Sequence, residues 1–404
     1  DFVSRGIPSE IAANVCVDSG TTRLFAAFLH AYSEPGDVFL VPRSYYHPLP
    51  AWCELCRVEL ELVATSRTDD YKLTAAALDA WYSRHRGPRP RGLFLFNPTQ
   101  TGALYSHDEL VALAEVIRRR NLVVLEDSVF ASTEFPGQPA VLPLSAAAPD
   151  LAERVVTLNG ASKAFNLANI RIGWACGPAA LIRRMNAHTV TTAATVPFLA
   201  KAMALAALRA PADYLAVNAA ECAERAALIT ALVDECNGAT GGEPLFTVAH
   251  QPQAGHAILV TAPGLRGRRL PSGATINSSI DVTRFLLSAA KVATSPGYSL
   301  GFDDTELRLA FGSVGVKHTY PPGAAHELRS ALHQLAAICG GSRQDVTRRV
   351  YEASEAMTHG SPENCREPFH PGRELITTAF RDRITPAVQQ LLGYRPVHQL
   401  SWAG

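Results

Sequence analysis

The sequence predicts an α/β protein: a mainly parallel sheet sandwiched by helices, joined to a smaller α+β domain. Three observations lead there. From residue 15 onward, short runs rich in β-branched and aromatic residues alternate with longer helical patterns, the rhythm of successive βα units. The short runs are almost continuously apolar, as in Leu93-Phe-Leu-Phe96 and Leu122-Val-Val-Leu125, which suits strands buried on both faces. Beyond about residue 200 the pattern turns to Ala- and Leu-rich helices, with strands near Ala257-Ile-Leu-Val260 and Leu307-Arg-Leu-Ala310. We place the large domain at residues 10–215 and the small one at 216–404.

Taken in order, Val15-Cys-Val17 leads through Ser19-Gly-Thr-Thr22 into a helical stretch ending near Ala31. Pro35-Gly-Asp37 is a turn signal before the strand Val38-Phe-Leu-Val41. Gly92-Leu-Phe-Leu-Phe96, Leu122-Val-Val-Leu-Glu126 and Val155-Val-Thr-Leu158 are the next strands. The Pro/Gly-rich stretch 262–274 reads as an exposed loop whose Arg266-Gly-Arg-Arg269 cluster is solvated.

Bulk composition excludes several function classes. Of 404 residues, 47% are hydrophobic and 18% charged, far too apolar for a disordered chain. Lys plus Arg and Asp plus Glu stand at 37 each, so no overall charge draws the surface to nucleic acid or anionic lipid. No apolar run is long enough to span a bilayer. Eight scattered cysteines do not make a disulfide scaffold and point to the reducing cytoplasm. Cys53-Glu-Leu-Cys56 has zinc half-site spacing without a second pair, and the thirteen histidines form no ligand pattern, so no catalytic metal is expected.

In parallel α/β sheets, ligands bind beyond the carboxyl ends of the strands, and the residues there form a coherent set. Gly20, Thr21 and Thr22 open a helix, where free N–H groups and hydroxyls suit a phosphate. Tyr45 and Tyr46 follow the second strand as flat rings able to stack. Asn97-Pro-Thr-Gln-Thr-Gly102 is a turn that can present an amide inward. Asp127 ends a buried strand, where a carboxylate needs a cation such as a pyridinium to stay ionised. Lys163 follows the next strand, with Arg171 eight positions on. A lysine whose pKa is lowered by burial and nearby cations forms imines.

This set resembles that of the fold type I enzymes that use pyridoxal 5′-phosphate (PLP), the aspartate aminotransferase superfamily, class I/II. The resemblance rests on Asn97-Pro-Thr99, on an aspartate 36 residues before the lysine, and on Ser162-Lys163 followed by Arg171. It implies PLP as cofactor, held as an internal aldimine at Lys163. It also implies Asp127 on the pyridine nitrogen, Asn97 near the ring oxygen and the substrate, and Arg171 with Gly20, Thr21 and Thr22 around the phosphate. The run Val41-Pro-Arg-Ser-Tyr-Tyr46 is similar to the Pro-Thr-Pro-Tyr-Tyr run of 1-aminocyclopropane-1-carboxylate synthases, which favours Tyr46 as the ring-stacking residue. Arg308 looks like the family's carboxylate-binding arginine, whose guanidinium grips a carboxylate through two parallel hydrogen bonds.

Three positions depart from the pattern. Phe130 stands where a tyrosine usually donates to the ring oxygen, a loss expected to raise the imine pKa. Gly160 replaces a phosphate-contacting serine, for which Ser162 can substitute. Asn169 replaces a glycine, a change that a left-handed backbone accommodates.

Chain order departs further. Only nineteen residues precede the phosphate loop, where the family has a long amino-terminal arm, and 96 lie beyond Arg308. Gly360-Ser-Pro-Glu-Asn364, Pro368-Phe-His-Pro-Gly372, a helical stretch through Leu392 and Gly393-Tyr394 resemble that missing arm. Ser4-Arg-Gly-Ile-Pro8 resembles the family's Arg-Gly-Ile-Pro segment, which comes after the arm and before the first sheet strand. Residues 343–404 followed by 1–342 restore the family order, which implies a circular permutation with its junction near Cys339-Gly-Gly-Ser342. In the family, the tyrosine matching Tyr394 reaches the phosphate of a neighbouring subunit, implying a homodimer.

The reading is therefore a PLP enzyme acting on an α-amino acid through external aldimine and quinonoid states, with transamination the leading outcome. Elimination, replacement or cyclisation, as in the synthases that consume S-adenosylmethionine, is the rival within the same chemistry. A PLP-sensing transcription regulator is the rival from another class. Residues 340–404 carry eight Lys/Arg against seven Asp/Glu and so offer no basic face to DNA.

Overall fold

The computed structural model describes residues 2–210, 212–240, 244–270, 272–302, 304–312 and 370–392. Seven strands form the large sheet: β1 (Val15–Asp18), β2 (Val38–Pro42), β3 (Glu59–Val63), β4 (Gly92–Phe96), β5 (Val123–Asp127), β6 (Val155–Gly160) and β7 (Gly173–Cys176). Their spatial order is β1-β7-β6-β5-β4-β2-β3. The pairings among β2 to β6 are parallel, and β7 runs antiparallel to both β1 and β6. Two of these strands go beyond the sequence expectation. β3, Glu59-Leu-Glu-Leu-Val63, sits at the sheet edge with only Val63 buried, so it lacks a continuous apolar run. β7, Gly173-Trp-Ala-Cys176, is buried throughout but only four residues long, and it is not among the strands read from the sequence.

Both faces of the sheet are covered. Phe39, Val41, Phe94, Phe96, Leu125, Val156 and Leu158 pack with Leu24, Phe25 and Phe28 of the helix Thr21–Tyr32. Leu40, Leu93, Leu95, Val124 and Val155 take the opposite face, against Leu110, Leu113 and Ile117 of the helix His107–Arg120. That second helix is defined at both ends: Ser106 and Glu109 form a reciprocal capping box, and Asn121 closes it in the left-handed region at φ 56°. Burying each large side chain contributes about 1.5–3 kcal/mol, so the two layers fix strand register firmly.

Register decides which residues can meet. Phe96 lies beside Asp127 in the β4–β5 pairing. Since side chains alternate, Asp127 shares the Phe25 face and Glu126 the opposite one.

The small sheet has strands β8 (Thr247–His250), β9 (Ala257–Thr261), β10 (Ser295–Pro296) and β11 (Glu306–Ala310), all antiparallel in the order β10-β11-β9-β8. Its core joins Ile258, Val260 and Leu307 to Val233 of the long helix Ala212–Thr240 and to Phe380, Ile384 and Val388. Arg225 on that helix is fully buried, with Nε donating to Glu221 Oε1 at 2.8 Å and Nη1 to Phe311 O at 2.7 Å. Arg373 meets the same Glu221 at 2.6 Å. In the loop after β9, Arg266 pairs with Asp304 and Arg268 donates to Gly264 O, so these exposed cations have local partners.

The small sheet is seated on segments that follow the carboxyl ends of the large one. Ser44 N donates to Leu300 O at 2.8 Å, His250 Nδ1 lies 3.0 Å from Asp70 Oδ1, and Gly255 N donates to Thr133 Oγ1 at 2.9 Å. A Cβ at Gly301, whose φ is +85°, would lie 2.6 Å from the Tyr45 ring. This seating sets the small sheet against the segments that follow β2, β3 and β5. Tyr394 and the proposed junction at 339–342 lie outside the described residues. No helix among the described residues is long and apolar enough to cross a membrane.

Candidate active site

Lys163 stands in the tight turn after β6, where Asn166 N donates to Lys163 O and Leu167 N to Ala161 O. Its Nζ lies 5.6 Å from the centroid of the Phe130 ring. Burial pushes its ammonium pKa down to about 8; Arg308 and Arg171 add to that effect and Asp127 opposes it. At that value about a tenth of the amine is unprotonated at pH 7, far more than for an ordinary lysine.

Asp127, at the end of β5, is 3% exposed. Among the described residues its carboxylate accepts one hydrogen bond, from Val129 N to Oδ1 at 3.0 Å. Burial, with Glu126 contributing, drives its pKa up to about 7, against the pull of Val129 N and Lys163. A cation beside it would restore the carboxylate.

Asn97 turns the other way. Its Nδ2 donates to Glu126 Oε1 at 3.0 Å and to Leu142 O at 2.8 Å, so both amide hydrogens are engaged on the face opposite Asp127. The expectation that this amide faces a ring oxygen or the substrate does not match that geometry. The reason is alternation: Leu93 and Leu95 pack on the His107–Arg120 side, and Asn97 continues their face. Within the same turn, Gln100 is 7% exposed and its side chain makes no hydrogen bond among the described residues.

The loop expected to hold a phosphate is built by close backbone contact. Gly20 takes φ +90°, and a Cβ there would lie 2.5 Å from Nη2 of Arg171, so the guanidinium rests on the helix start only because that side chain is absent. A Cβ at Gly173 would fall 2.8 Å from Thr21 N, and one at Gly160 would fall 3.1 Å from Ile172 O. Gly173 thus lets the Lys163 hairpin lie against the helix start, and Gly160 lets the two strands of that hairpin close on each other. Thr22 Oγ1 and Tyr46 Oη are 2.9 Å apart, which fixes the Tyr46 ring above this loop. Ser162 is half-buried and immediately precedes Lys163. Left-handed backbone occurs at Asn166 and Arg171 and not at Asn169, which lies within a short 3₁₀ turn; the polar side chain at 169 needs no special accommodation.

From the small sheet, Arg308 on β11 reaches the same space. Its Nε is buried without a hydrogen-bond partner among the described residues, and burial lowers its pKa. An orphaned guanidinium N–H in the interior calls for an anion. His47, after Tyr46, and His256, just before β9, are both held below the usual histidine range by burial together with the charges of Arg308 and Lys163. Neither histidine was indicated by a motif, because each stands alone beside a strand rather than in a spaced pattern.

With this geometry in place, the comparisons with known proteins are decisive. The family model for aminotransferase class I and II matches residues 1–336. The chain belongs to that family. It is 26% identical over 328 residues to a probable aspartate/prephenate aminotransferase of Rickettsia bellii, covering 81% of this chain and 76% of the relative. It is 28% identical over 331 residues to the aspartate/prephenate aminotransferase of Cereibacter sphaeroides, covering 81% and 77%. Among solved structures, it is similar to the aspartate aminotransferase of Rhizobium meliloti, with a TM-score of 0.67 at 26% identity, covering 81% of this chain and 76% of that one.

The protein is thus a PLP-dependent transferase of the aminotransferase type, with the fold type I architecture and amino acids as substrates. The residues present fit the cofactor on their own chemistry. An amine of lowered pKa suits the aldehyde, a buried carboxylate suits a protonated ring nitrogen, and a guanidinium lying on an open helix start suits the phosphate.

Proposed function

We propose that the enzyme transfers the amino group of an α-amino acid held by its carboxylate on Arg308, with Lys163 as the cofactor lysine and proton carrier. The observation that supports this most is the buried Nε of Arg308, unpartnered among the described residues, in a space shared with a lysine of pKa about 8. When bound, PLP supplies an electrophilic carbon that condenses with an amine and a ring that accepts the electrons released at the substrate's α-carbon. The chain's own residues do the rest. Arg308 grips the carboxylate and so orients the α-carbon. The Lys163 amine, with its pKa near working pH, takes and returns the α-proton. Asp127 would hold the ring nitrogen's proton and, beside that positive charge, would stay ionised. Gly20, Thr21, Thr22 and Arg171 hold the phosphate, and Tyr46, tethered to Thr22, forms one wall.

The test is a single half-reaction. Stoichiometric PLP-loaded protein mixed with aspartate, glutamate or an aromatic amino acid is expected to release one equivalent of 2-oxo acid and leave pyridoxamine phosphate. Arg308→Ala is expected to raise the required amino acid concentration at least about a hundredfold. Return of the aldehyde form with an eliminated or cyclised product would contradict transamination.

The chain order is read as a circular permutation. Residues 370–392 place Ile376, Phe380, Ile384, Ala387 and Val388 in the core of the small sheet, as an integral part of that domain. Separately, Phe2, Ile7 and Ile11 pack on the large domain, and Arg5 Nη2 donates to Ser132 Oγ at 2.8 Å. A reordered chain, residues 343–404 followed by 1–342, is expected to fold and bind PLP as the parent does; failure to fold would refute the reading. Tyr394 is assigned to a neighbouring subunit's phosphate, which makes a homodimer the working form. Buried thiols outside any disulfide at Cys16, Cys53, Cys176 and Cys222 suit a reducing cytoplasm.

A further inference from the structure

We propose that His256 donates a hydrogen bond to the ring oxygen of the cofactor, supplying the donor that Phe130 lacks. The proposal rests on Lys163 being the cofactor lysine. It begins from a shortage. The ring oxygen of PLP is ortho to the carbon that would bond the lysine nitrogen, so on Lys163 it would lie close to that nitrogen, whose amine stands 5.6 Å from the centroid of the Phe130 ring. As an anion in the interior it needs a donor. Phe130 has no hydroxyl, and both Asn97 hydrogens are engaged by Glu126 and Leu142 O on the far face of the sheet.

His256 stands beside Phe130. Its ring meets the Phe130 ring edge to face, with centroids 6.1 Å apart, and Lys163 Nζ lies 5.6 Å from the centroid of the same phenyl ring. No hydrogen bond reaches the imidazole among the described residues.

The ring is also held in place. His256 O accepts from both Phe311 N and Gly312 N, at 3.0 and 3.2 Å. A Cβ at Gly312 would lie 2.6 Å from His256 Cβ and Cγ, so the imidazole fits against that glycine because it has no side chain. On the other side Gly255, at φ +89°, brings the backbone against Phe130, and its N–H is fixed on Thr133 Oγ1. Phe130 and His256 are therefore positioned as one unit across the two sheets.

The charges facing His256 are those of Lys163, Arg308 and Arg225, and burial with these cations holds its pKa down to about 3. It is a neutral imidazole at working pH, with one N–H to donate. A neutral donor draws charge from the ring oxygen without adding a cation, and so loosens the adjacent nitrogen's hold on its proton.

The experiment is a pH titration of the visible absorbance of PLP-loaded protein, with cofactor affinity and melting temperature measured alongside. The groups that set the midpoint besides His256 are Arg308, Asp127 and Arg171, all left unchanged. His256→Ala is expected to raise the midpoint by about one unit or more, as loss of a hydrogen bond to a charged group does. His256→Gln, which keeps an N–H donor, is expected to stay closer to the parent and serves if the alanine variant folds poorly. In a Phe130→Tyr background the same alanine substitution is expected to lose more than half its effect, since the new hydroxyl serves the oxygen. A midpoint unchanged by His256→Ala, with the visible band and melting temperature intact, would overturn the proposal and leave the cofactor assignment standing. A parent protein that forms no visible band with PLP would overturn the cofactor assignment and the proposal together.

Discussion

Glu126 and Asp127 are neighbours on one strand, both buried, and the sheet gives them opposite surroundings. Glu126 accepts from Asn97 Nδ2, Leu144 N and Thr157 Oγ1, at 3.0, 2.9 and 3.0 Å. Asp127 accepts from Val129 N and faces Lys163. Burial raises both pKa values. Among the described residues, one carboxyl group is saturated and the other is left wanting a partner. Burial alone therefore does not mark a functional acid; the unfilled acceptor does.

Substitution should separate the pair. Asp127→Ala is expected to lower kcat at least about a hundredfold with little change in melting temperature, because the lost interaction matters when charge develops. Steady-state kinetics with a matched thermal melt checks this. Glu126→Ala leaves three donors unsatisfied and is expected to destabilise the fold by about 1–3 kcal/mol or more, measured by denaturant unfolding. Its kcat, in whatever fraction folds, should stay within a few-fold of the parent. If Glu126→Ala abolished turnover in folded protein, the contrast between the two faces would fail.

A subtler effect concerns the protein without cofactor. The Asp127 pKa of about 7 lies above the ordinary value of 3.8. A raised carboxyl contributes stability below the unfolded pKa and loses it as pH rises through the folded one. Cofactor-free Asp127→Asn should thus melt above the parent at pH 8, and this advantage should shrink as pH falls from about 7 toward about 4. An advantage that does not vary with pH would contradict the raised value. Smallest is Asn97→Ala, which removes one of three donors to Glu126: a loss of about 1 kcal/mol in stability, with the midpoint of the cofactor absorbance unmoved.

Much of this was legible in the residues. The strands Val38–Val41, Leu93–Phe96 and Val155–Leu158 announced themselves because both faces are covered and every position is apolar or nearly so. That same uniformity hid the face of Asn97. A strand buried on both sides shows no polar alternation, so the turn after it could be placed at the sheet edge but not on one side of it. The spacing of Asp127, Lys163 and Arg171 was readable because it is set along the chain, and the apolar runs mark the strand ends that Asp127 and Lys163 follow. His256 was not, since its importance comes from Phe130 and Gly312, which approach it only in the folded chain. β3 and the two-residue β10 were missed for want of a hydrophobic run.

The central claim is that the polarised, unsaturated face of the sheet exists to serve an amine at Lys163. Borohydride reduction of the PLP-loaded protein, followed by digestion and peptide mass mapping, tests it most directly. The account predicts a single pyridoxyl adduct on Lys163, lost in Lys163→Ala together with at least about 1,000-fold of the activity. An adduct on Lys72, Lys201, Lys291 or Lys317 in its place, or full activity in Lys163→Ala, would contradict it.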